Sequence, residues 1–258
     1  MLLTNTLELR VHPKEGLEYD VHFNVKKVGC SRYAARDVEA TTEMLEEIRS
    51  DGYSIHEGRG SGICLKSRYL LTTEDAIEVQ GHQTSGEVEF VAMAQTDEIL
   101  ISVGSDHNDR SVEKMWTAML GKIFDTAKSK QMVPAVVAKD AWLYRDIKDH
   151  WDQIVVKSFV TVSNKKTLYQ ELYLKDMLHM DFYLDRTPWL IEDGSVLFGG
   201  SGGMSTDLPS NLYQGQPTME GLIFPSDFYV EMHDPVLGRS INHAYDIFPL
   251  EESESRSL

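Results

Sequence analysis

The apolar residues of this chain recur mostly with a period of two, and only two segments switch to the period of a helix. In LEYDVHFNV (17–25), Leu17, Tyr19, Val21, Phe23 and Val25 fall on one side, as in a half-buried strand. AIEVQG (76–81), EVEFVAMA (87–94), EILISVG (98–104) and QIVVKSFVTV (153–162) also read as strands, the last followed by a turn at SNKK. SVLFGGSGG (195–203) is a short apolar strand running into glycines. In ARDVEATTEMLEEIRSDG (35–52) the period changes: Val38, Thr41, Leu45 and Ile48 share a helical face, and Gly52 sits where a helix stops. From Ser111, the residues Val112, Met115, Trp116, Met119, Leu120, Ile123 and Phe124 form an apolar helical stripe. No repeat of 20 to 50 residues emerges, which argues against solenoids and propellers. Strands outnumber helices and do not alternate with them in βαβ order, so the fold class is α+β with a large mixed or antiparallel sheet.

Charge narrows the partners. Lys and Arg total 25 against 41 Asp and Glu, a formal charge of −16. Binding to phosphate backbones needs a basic stripe and none is visible, so no nucleic-acid partner is expected, and no anionic membrane surface either. The apolar run VPAVVA (133–138) is far shorter than the ~18 residues of a membrane span. The N-terminus has no apolar core of a secretory signal. Cys30 and Cys64 form no CxxC, which excludes a disulfide framework or zinc knuckle and favours a reducing, cytoplasmic compartment. Neither cysteine has an evident histidine partner, and each reads as a small buried apolar group. The polar tail EESESRSL (251–258) is expected to be disordered.

Two acidic positions carry the chemistry. In SGEVEF (85–90), Glu87 and Glu89 lie two apart in a strand, so their carboxylates face the same way. Either water solvates them on an exposed face opposite Val88 and Phe90, or a hard divalent cation neutralises them. EILISVGSDHNDR (98–110) then runs from an apolar strand into Ser105, Asp106, His107, Asn108, Asp109 and Arg110. If the strands holding Glu89 and Ile101 are neighbours, Asp106 approaches the glutamates, and three carboxylates with water suit Mg²⁺, Mn²⁺ or Ca²⁺ rather than zinc. The simpler role for Asp106 or Asp109 is to cap the helix beginning near Ser111, and Asp109 suits that role. His107 reads equally as a ligand or as a hydrogen-bonded structural imidazole. GGSGG (199–203) lacks the Gly-Lys-Ser/Thr of a phosphate loop, and no Gly-x-Ser-x-Gly elbow surrounds Ser85 or Ser201.

Glu-x-Glu followed by Asp-x-x-x-Arg resembles the fumarylacetoacetate hydrolase superfamily, most closely a bacterial branch with SGE-x-E and GSDH-x-DR motifs. Further islands between residues 28 and 244 follow in the same order. ICLKS (63–67) resembles the Phe-Leu-Lys-Pro strand, and SKQMVP (129–134) the Ala-Lys-Ser-Phe segment. TLYQE (167–171) looks like the glutamine-bearing segment, and EDGSVLFGGSGG (192–203) like the Gly-Asp-x-Ile-x-x-Gly-Thr-Pro turn. PVLGRSINHA (235–244) resembles the closing strand. The resemblance implies a mixed β-sheet roll with flanking helices. It also implies a metal triad of Glu87, Glu89 and Asp106, a catalytic Lys130, and substrate contacts from Arg110, Gln170, Gly200 and Ser201. The family's catalytic histidine and its glutamate would fall in VGCSRYAARDVE (28–39), where Arg36 replaces the histidine and Glu39 stands near the partner position. His56, in the loop-like YSIHEGRGSG (53–62), is either a substitute base or an exposed loop histidine.

The implied function is a divalent-metal-dependent hydrolase or lyase that cleaves a C–C bond in a 2-oxo or 2,4-dioxo acid. Mg²⁺ or Mn²⁺, with Ca²⁺ an alternative, would stabilise the enolate that forms. Without the histidine, a decarboxylase, tautomerase or other lyase rivals a hydrolase. The alternative is a non-catalytic, metal-stabilised small-molecule binding protein of the same fold. The expected organisation is a lid-like N-terminal segment over 1–70 and a metal-binding catalytic core over 71–250. The superfamily's assembly implies a homodimer, with Trp142, Tyr144 and Trp151 as exposed anchors or, alternatively, as cover for the protein's own core.

Overall fold

In a computed structural model of the chain, which describes residues 4–50, 62–119, 127–215 and 219–250, the alternating segments become strands. The first four are β1 (Asn5–Val11), β2 (Tyr19–Val25), β3 (Lys27–Arg32) and β4 (Gly62–Lys66). β5 (Leu71–Thr72), β6 (Ala76–Gln80) and β7 (Thr84–Ser85) lead into the long pair β8 (Val88–Gln95) and β9 (Glu98–Asp106). Then come β10 (Asn108–Asp109), β11 (Ala135–Val137), β12 (Asp140–Leu143), β13 (Val155–Val162) and β14 (Lys165–Tyr173). The last are β15 (Ser195–Phe198), β16 (Asp227–Asp234) and β17 (Arg239–Leu250).

The larger sheet runs β2-β1-β12-β9-β8-β15-β3-β4, with β11 bridging β9 and β5. The second runs β14-β13-β16-β17-β6, and β10 pairs with β7 in a short ladder. Most pairs are antiparallel, but β1 with β12, β5 with β11, β3 with β15 and β6 with β17 are parallel, so both sheets are mixed. β1 to β4 join the same sheet as β8 and β9, so the N-terminal strands and the acidic strands share one scaffold.

The pairing that the acidic motifs require is present. Thr96 and Asp97 join β8 to β9, both in the left-handed region (φ 45° and 63°), which matches a tight hairpin turn to the twist of its strands. The register sets Glu89 opposite Gly104 and Val88 opposite Ser105. Gly104 faces the Val136 carbonyl so closely that a Cβ would collide, which lets β11 lie against β9. β8 is buried on both faces, with Phe90 and Ala92 in one apolar core and Val91 and Met93 in the other. Its near-continuous apolar sequence is that of a strand covered on both sides. Phe90 meets Trp151 edge-on at 5.0 Å and Tyr183 at 6.4 Å, contacts worth about 0.5–1.5 kcal/mol each beyond their area. The strand that carries the acids is therefore rigidly seated.

Helix α1 (Val38–Ser50) buries Thr41 and Leu45, as its periodicity requires; Gly52 lies outside the described residues. Helix α2 (Arg110–Met119) forms where expected, and Leu120, Ile123 and Phe124 lie outside the described residues. Its stripe is corrected at Met115, which is half exposed. The aromatic anchors are corrected too: Trp142 and Trp151 are 1% exposed and Tyr144 8%, so they cover the protein's own core. Among the described residues no helix is long and apolar enough to cross a membrane. The tail 251–258 and His56 fall outside the described residues.

Candidate metal centre

Four elements converge on one buried cluster. β8 carries Glu89, and Glu87 stands just before it. β9 ends on Asp106, helix α3 (Ala127–Gln131) brings Lys130, and β4 ends on Lys66. Lys130 Nζ donates to Asp106 Oδ2 at 2.7 Å and to Glu87 Oε2 at 2.9 Å. Lys66 Nζ donates to Asp106 Oδ1 at 3.2 Å. Arg110, the first residue of α2, donates from Nη2 to Glu87 Oε1 at 2.7 Å, from Nη1 to Glu113 at 3.0 Å and from Nε to Ser85 Oγ at 2.7 Å. Among the described residues Glu89 makes no such ion pair: its Oε2 accepts the Gly200 N–H at 2.6 Å. Gly200 holds a φ of 90° with Ala34 where a Cβ would be, so the turn needs glycine to present this N–H.

The charges sort the three acids. Burial alone would raise the Glu87 carboxyl, but Lys130 and Arg110 overcome it and hold the group down at about 2. Asp106 is likewise held below its ordinary range: burial opposes ionisation, and Lys130 and Lys66 outweigh it. Glu89 goes the other way. Burial first, then the Asp106 charge, push its carboxyl well above the ordinary value against weaker opposition from Lys130 and the Gly200 N–H. Burial works against the Lys130 ammonium, but the Asp106 and Glu87 charges outweigh it and hold the proton on. Counting Glu113, four carboxyls face three cations, and one proton on Glu89 balances the cluster.

The other expected site residues are placed as follows. Gln170 is buried, its Oε1 accepting from Val88 N at 3.0 Å and from Ser158 Oγ at 3.3 Å, and its Nε2 donating to Gly202 O at 3.2 Å. It ties β14 to the backbone between the two glutamates. Ser201 is half buried beside Gly200. Arg110 is buried with its three donor nitrogens on Ser85, Glu87 and Glu113, and its guanidinium lies 5.6 Å from the Tyr213 ring centroid. Arg36 is committed elsewhere, to Asp152 at 2.8 Å and to the Met177 and Leu174 carbonyls. Glu39 is exposed in the first turn of α1. His107 packs against Phe228 with Nδ1 3.0 Å from Tyr245 Oη, and burial, then Lys66 and Arg110, push its pKa down to about 3; it is a neutral structural imidazole.

Asp109 caps α2, its Oδ1 accepting from Val112 N at 2.9 Å and from Ser111 Oγ at 2.6 Å. Asp109→Ala is therefore expected to lower stability by about 1 kcal/mol in urea unfolding and to leave divalent-ion affinity unchanged. Loss of ion binding in this variant would move the ligand role from Asp106 to Asp109.

The donor set fits a hard divalent cation. It is all carboxylate oxygen, and Glu89 is a buried acid that forms no ion pair among the described residues. The arrangement differs from the expected open triad, however: ammonium groups occupy the oxygens of Asp106, and among the described residues no three His, Cys, Asp or Glu side chains form a ready cage. Sequence reasoning gave no role in the site to Lys66, Glu113 or Ser85. For Lys66 the available signal was a lysine at i+2 from Cys64 in a strand, hence on its buried face. For Glu113 it was the i,i+3 spacing from Arg110 on a helix.

Residues 31–245 match the profile of the family described as protein of unknown function DUF2848. A sequence search of curated proteins finds no match. Among solved structures, Cg1458 is 14% identical with a TM-score of 0.56, over 91% of this chain and 83% of that one. A 2-keto-3-deoxyarabinonate dehydratase is also 14% identical with a TM-score of 0.56, over 88% and 75%. The yeast protein ynq8, a fumarylacetoacetate hydrolase family protein, is 13% identical with a TM-score of 0.51, over 87% and 94%. At these identities the likeness is one of fold. The chain belongs to the DUF2848 family, and its α+β fold is that of the fumarylacetoacetate hydrolase proteins.

Proposed function

We propose that the chain is a divalent-metal-dependent enzyme acting on a 2-oxo or 2,4-dioxo acid, with Glu87, Glu89 and Asp106 holding Mg²⁺ or Mn²⁺. The observation that carries this reading is the balance of the buried cluster. If a divalent ion displaces the Glu89 proton, four carboxylates, three cations and the ion leave one net positive charge, which suits an anionic substrate. Bound there, the ion would supply Lewis-acid polarisation of a keto oxygen and charge stabilisation as a carbanion develops. Support comes from a dehydratase of the same fold, described in complex with magnesium and 2,5-dioxopentanoate. The SGE-x-E and GSDH-x-DR motifs motivate assigning the chain to its own branch of the superfamily.

The chain's own residues divide the work. Lys130, held as an ammonium, is a fixed donor and cation for a developing oxyanion rather than a base. Arg110 clamps Glu87, the Gly200 N–H orients Glu89, and Gln170 fixes the strand between the glutamates; these act as positioning residues. In residues 28–39 Arg36 is ion-paired and Glu39 is exposed, so neither favours a water-activating base, and a lyase, decarboxylase or dehydratase reading is preferred to a hydrolase. Hydrolysis would fall to His56.

The test is loss of oxaloacetate, acylpyruvates and other 2-oxo acids with and without Mg²⁺. Turnover that needs the ion and disappears in Glu89→Gln is expected. Bound ion without turnover across the panel would favour the second reading, a non-catalytic binding protein, which the ion-paired state of Asp106 favours. We also propose a cytoplasmic homodimer. Sedimentation at micromolar concentration is expected to give twice 29.3 kDa, and a mass near 29.3 kDa would remove the dimer.

A further inference from the structure

Cys30 and Cys64 stand directly opposite each other in the antiparallel pair β3–β4. Opposed residues in such a pair have Cα atoms about 4.5–5.5 Å apart. A disulfide spans about 4.4–6.8 Å. Side chains alternate along a strand, so both thiols share a face with Lys66, and that face is turned to Asp106. Cys64 Sγ lies 3.5 Å from the Cys30 carbonyl oxygen, and the Asp106 charge acts on both thiols. Both are free and buried, Cys30 fully and Cys64 at 6% exposure. Two packed methyl-sized groups would account for the burial but not for a register that sets sulfur against sulfur beside the charged cluster.

We propose that Cys30 and Cys64 are a redox modification site that a hydroperoxide closes to a reversible disulfide, weakening divalent-ion binding at the adjacent carboxylates. The disulfide stands on strand geometry alone, while the effect on ion binding rests on the metal reading given above. Cys64, the more exposed thiol, attacks a peroxide oxygen as its thiolate. An S–O bond forms, the O–O bond breaks, and the leaving hydroxide takes a proton to become water. The Cys30 sulfur then attacks the sulfenic sulfur. The S–S bond forms, the S–O bond breaks, and the departing hydroxide leaves as water with the Cys30 proton. The two thiols have lost two electrons and hydrogen peroxide has gained them. Closing the bond draws the two sulfurs together on the strand face from which Lys66 reaches Asp106, so oxidation repacks the support of a proposed ligand, a change that typically alters metal affinity 10- to 100-fold. In a reducing compartment such a bond is transient, as suits a sensor.

The experiment treats reduced, metal-free wild-type protein with hydrogen peroxide, alkylates it in denaturant and measures intact mass and free thiols. The expected product is lighter by two hydrogens, has lost both thiols together and is restored by dithiothreitol; Cys30→Ser, Cys64→Ser and Cys64→Ala each fail to lose the two hydrogens. Wild-type protein that stays reduced, gains oxygen on single cysteines or cross-links between chains overturns the disulfide. Calorimetric titration with Mn²⁺ should then show the oxidised form binding about tenfold more weakly than the reduced form. Equal or tighter binding overturns the coupling. A reduced protein that binds no ion removes the coupling together with the metal reading, while the mass result still decides the disulfide.

Discussion

Replacing Lys130 by methionine is expected to lower turnover about 100- to 1,000-fold and, in the same protein, to tighten Mg²⁺ binding. Methionine keeps the unbranched stem and its packing but removes the ammonium that bridges Asp106 and Glu87. The buried Asp106 and the half-buried Glu87 then lose a partner, so the metal-free variant should be less stable by about 3 kcal/mol in denaturant unfolding. A divalent ion restores the missing charge. Removing a like charge at about 4 Å is worth at least about 1 kcal/mol per unit charge, so affinity for a divalent ion should rise about 30-fold. A residue needed only for structure would lose stability and affinity together. The opposed signs, read by calorimetry beside steady-state kinetics, separate the two roles, and a parallel fall would show that Lys130 does not compete with an ion.

Glu89→Gln is expected to weaken ion binding by about 100-fold or more, abolish turnover and leave the metal-free fold as stable or more so. The sign follows from the direction of each shift. Glu89 has its folded carboxyl raised above the ordinary 4.5, by burial and then by Asp106. Its contribution is therefore complete below 4.5 and is lost as pH rises through the folded value. Glu87 and Asp106 are held down, so their contributions are present above their ordinary values of 4.5 and 3.8 and are lost as pH falls, for Glu87 towards about 2. In chelator, the wild-type protein should thus lose stability on both sides, and Glu89→Gln should remove only the loss at higher pH. Melting curves across this range check it; a loss at higher pH that persists in the variant would place the buried acid elsewhere.

Much of the fold was legible because strand alternation reports one-sided burial directly, as in residues 153–162; in residues 17–25 it holds from Val21 to Val25, while Leu17 precedes the strand and both Leu17 and Tyr19 are exposed. The i,i+2 glutamates were equally plain, and the hairpin through Thr96 and Asp97 brings them beside Asp106. What stayed hidden depends on partners distant in sequence. Trp142 and Trp151 sit among charged residues and read as surface, yet the short strand and helical turn that carry them fold inward. A helical stripe places Met115 on a face but does not say whether anything covers that face. Motif resemblance located Arg110 and Gln170 without revealing that Arg110 is bonded to Glu87, Ser85 and Glu113 and that Gln170 donates to the Gly202 carbonyl. Lys66, although part of the ICLKS motif, drew no site role because a lysine in a strand is ordinarily solvated, and only the approach of β4 to Asp106 buries it.

The most direct measurement is calorimetric titration of Mn²⁺ into chelator-treated protein at neutral pH, repeated in two buffers of different ionisation heat to count the protons exchanged. Ion binding at Glu87, Glu89 and Asp106 predicts one site that releases about one proton, from Glu89, with release lost and affinity sharply reduced in Glu89→Gln. Binding unaffected by both Glu87→Gln and Glu89→Gln, or no binding at all, would contradict the metal centre and leave the cluster a buried ion-pair network.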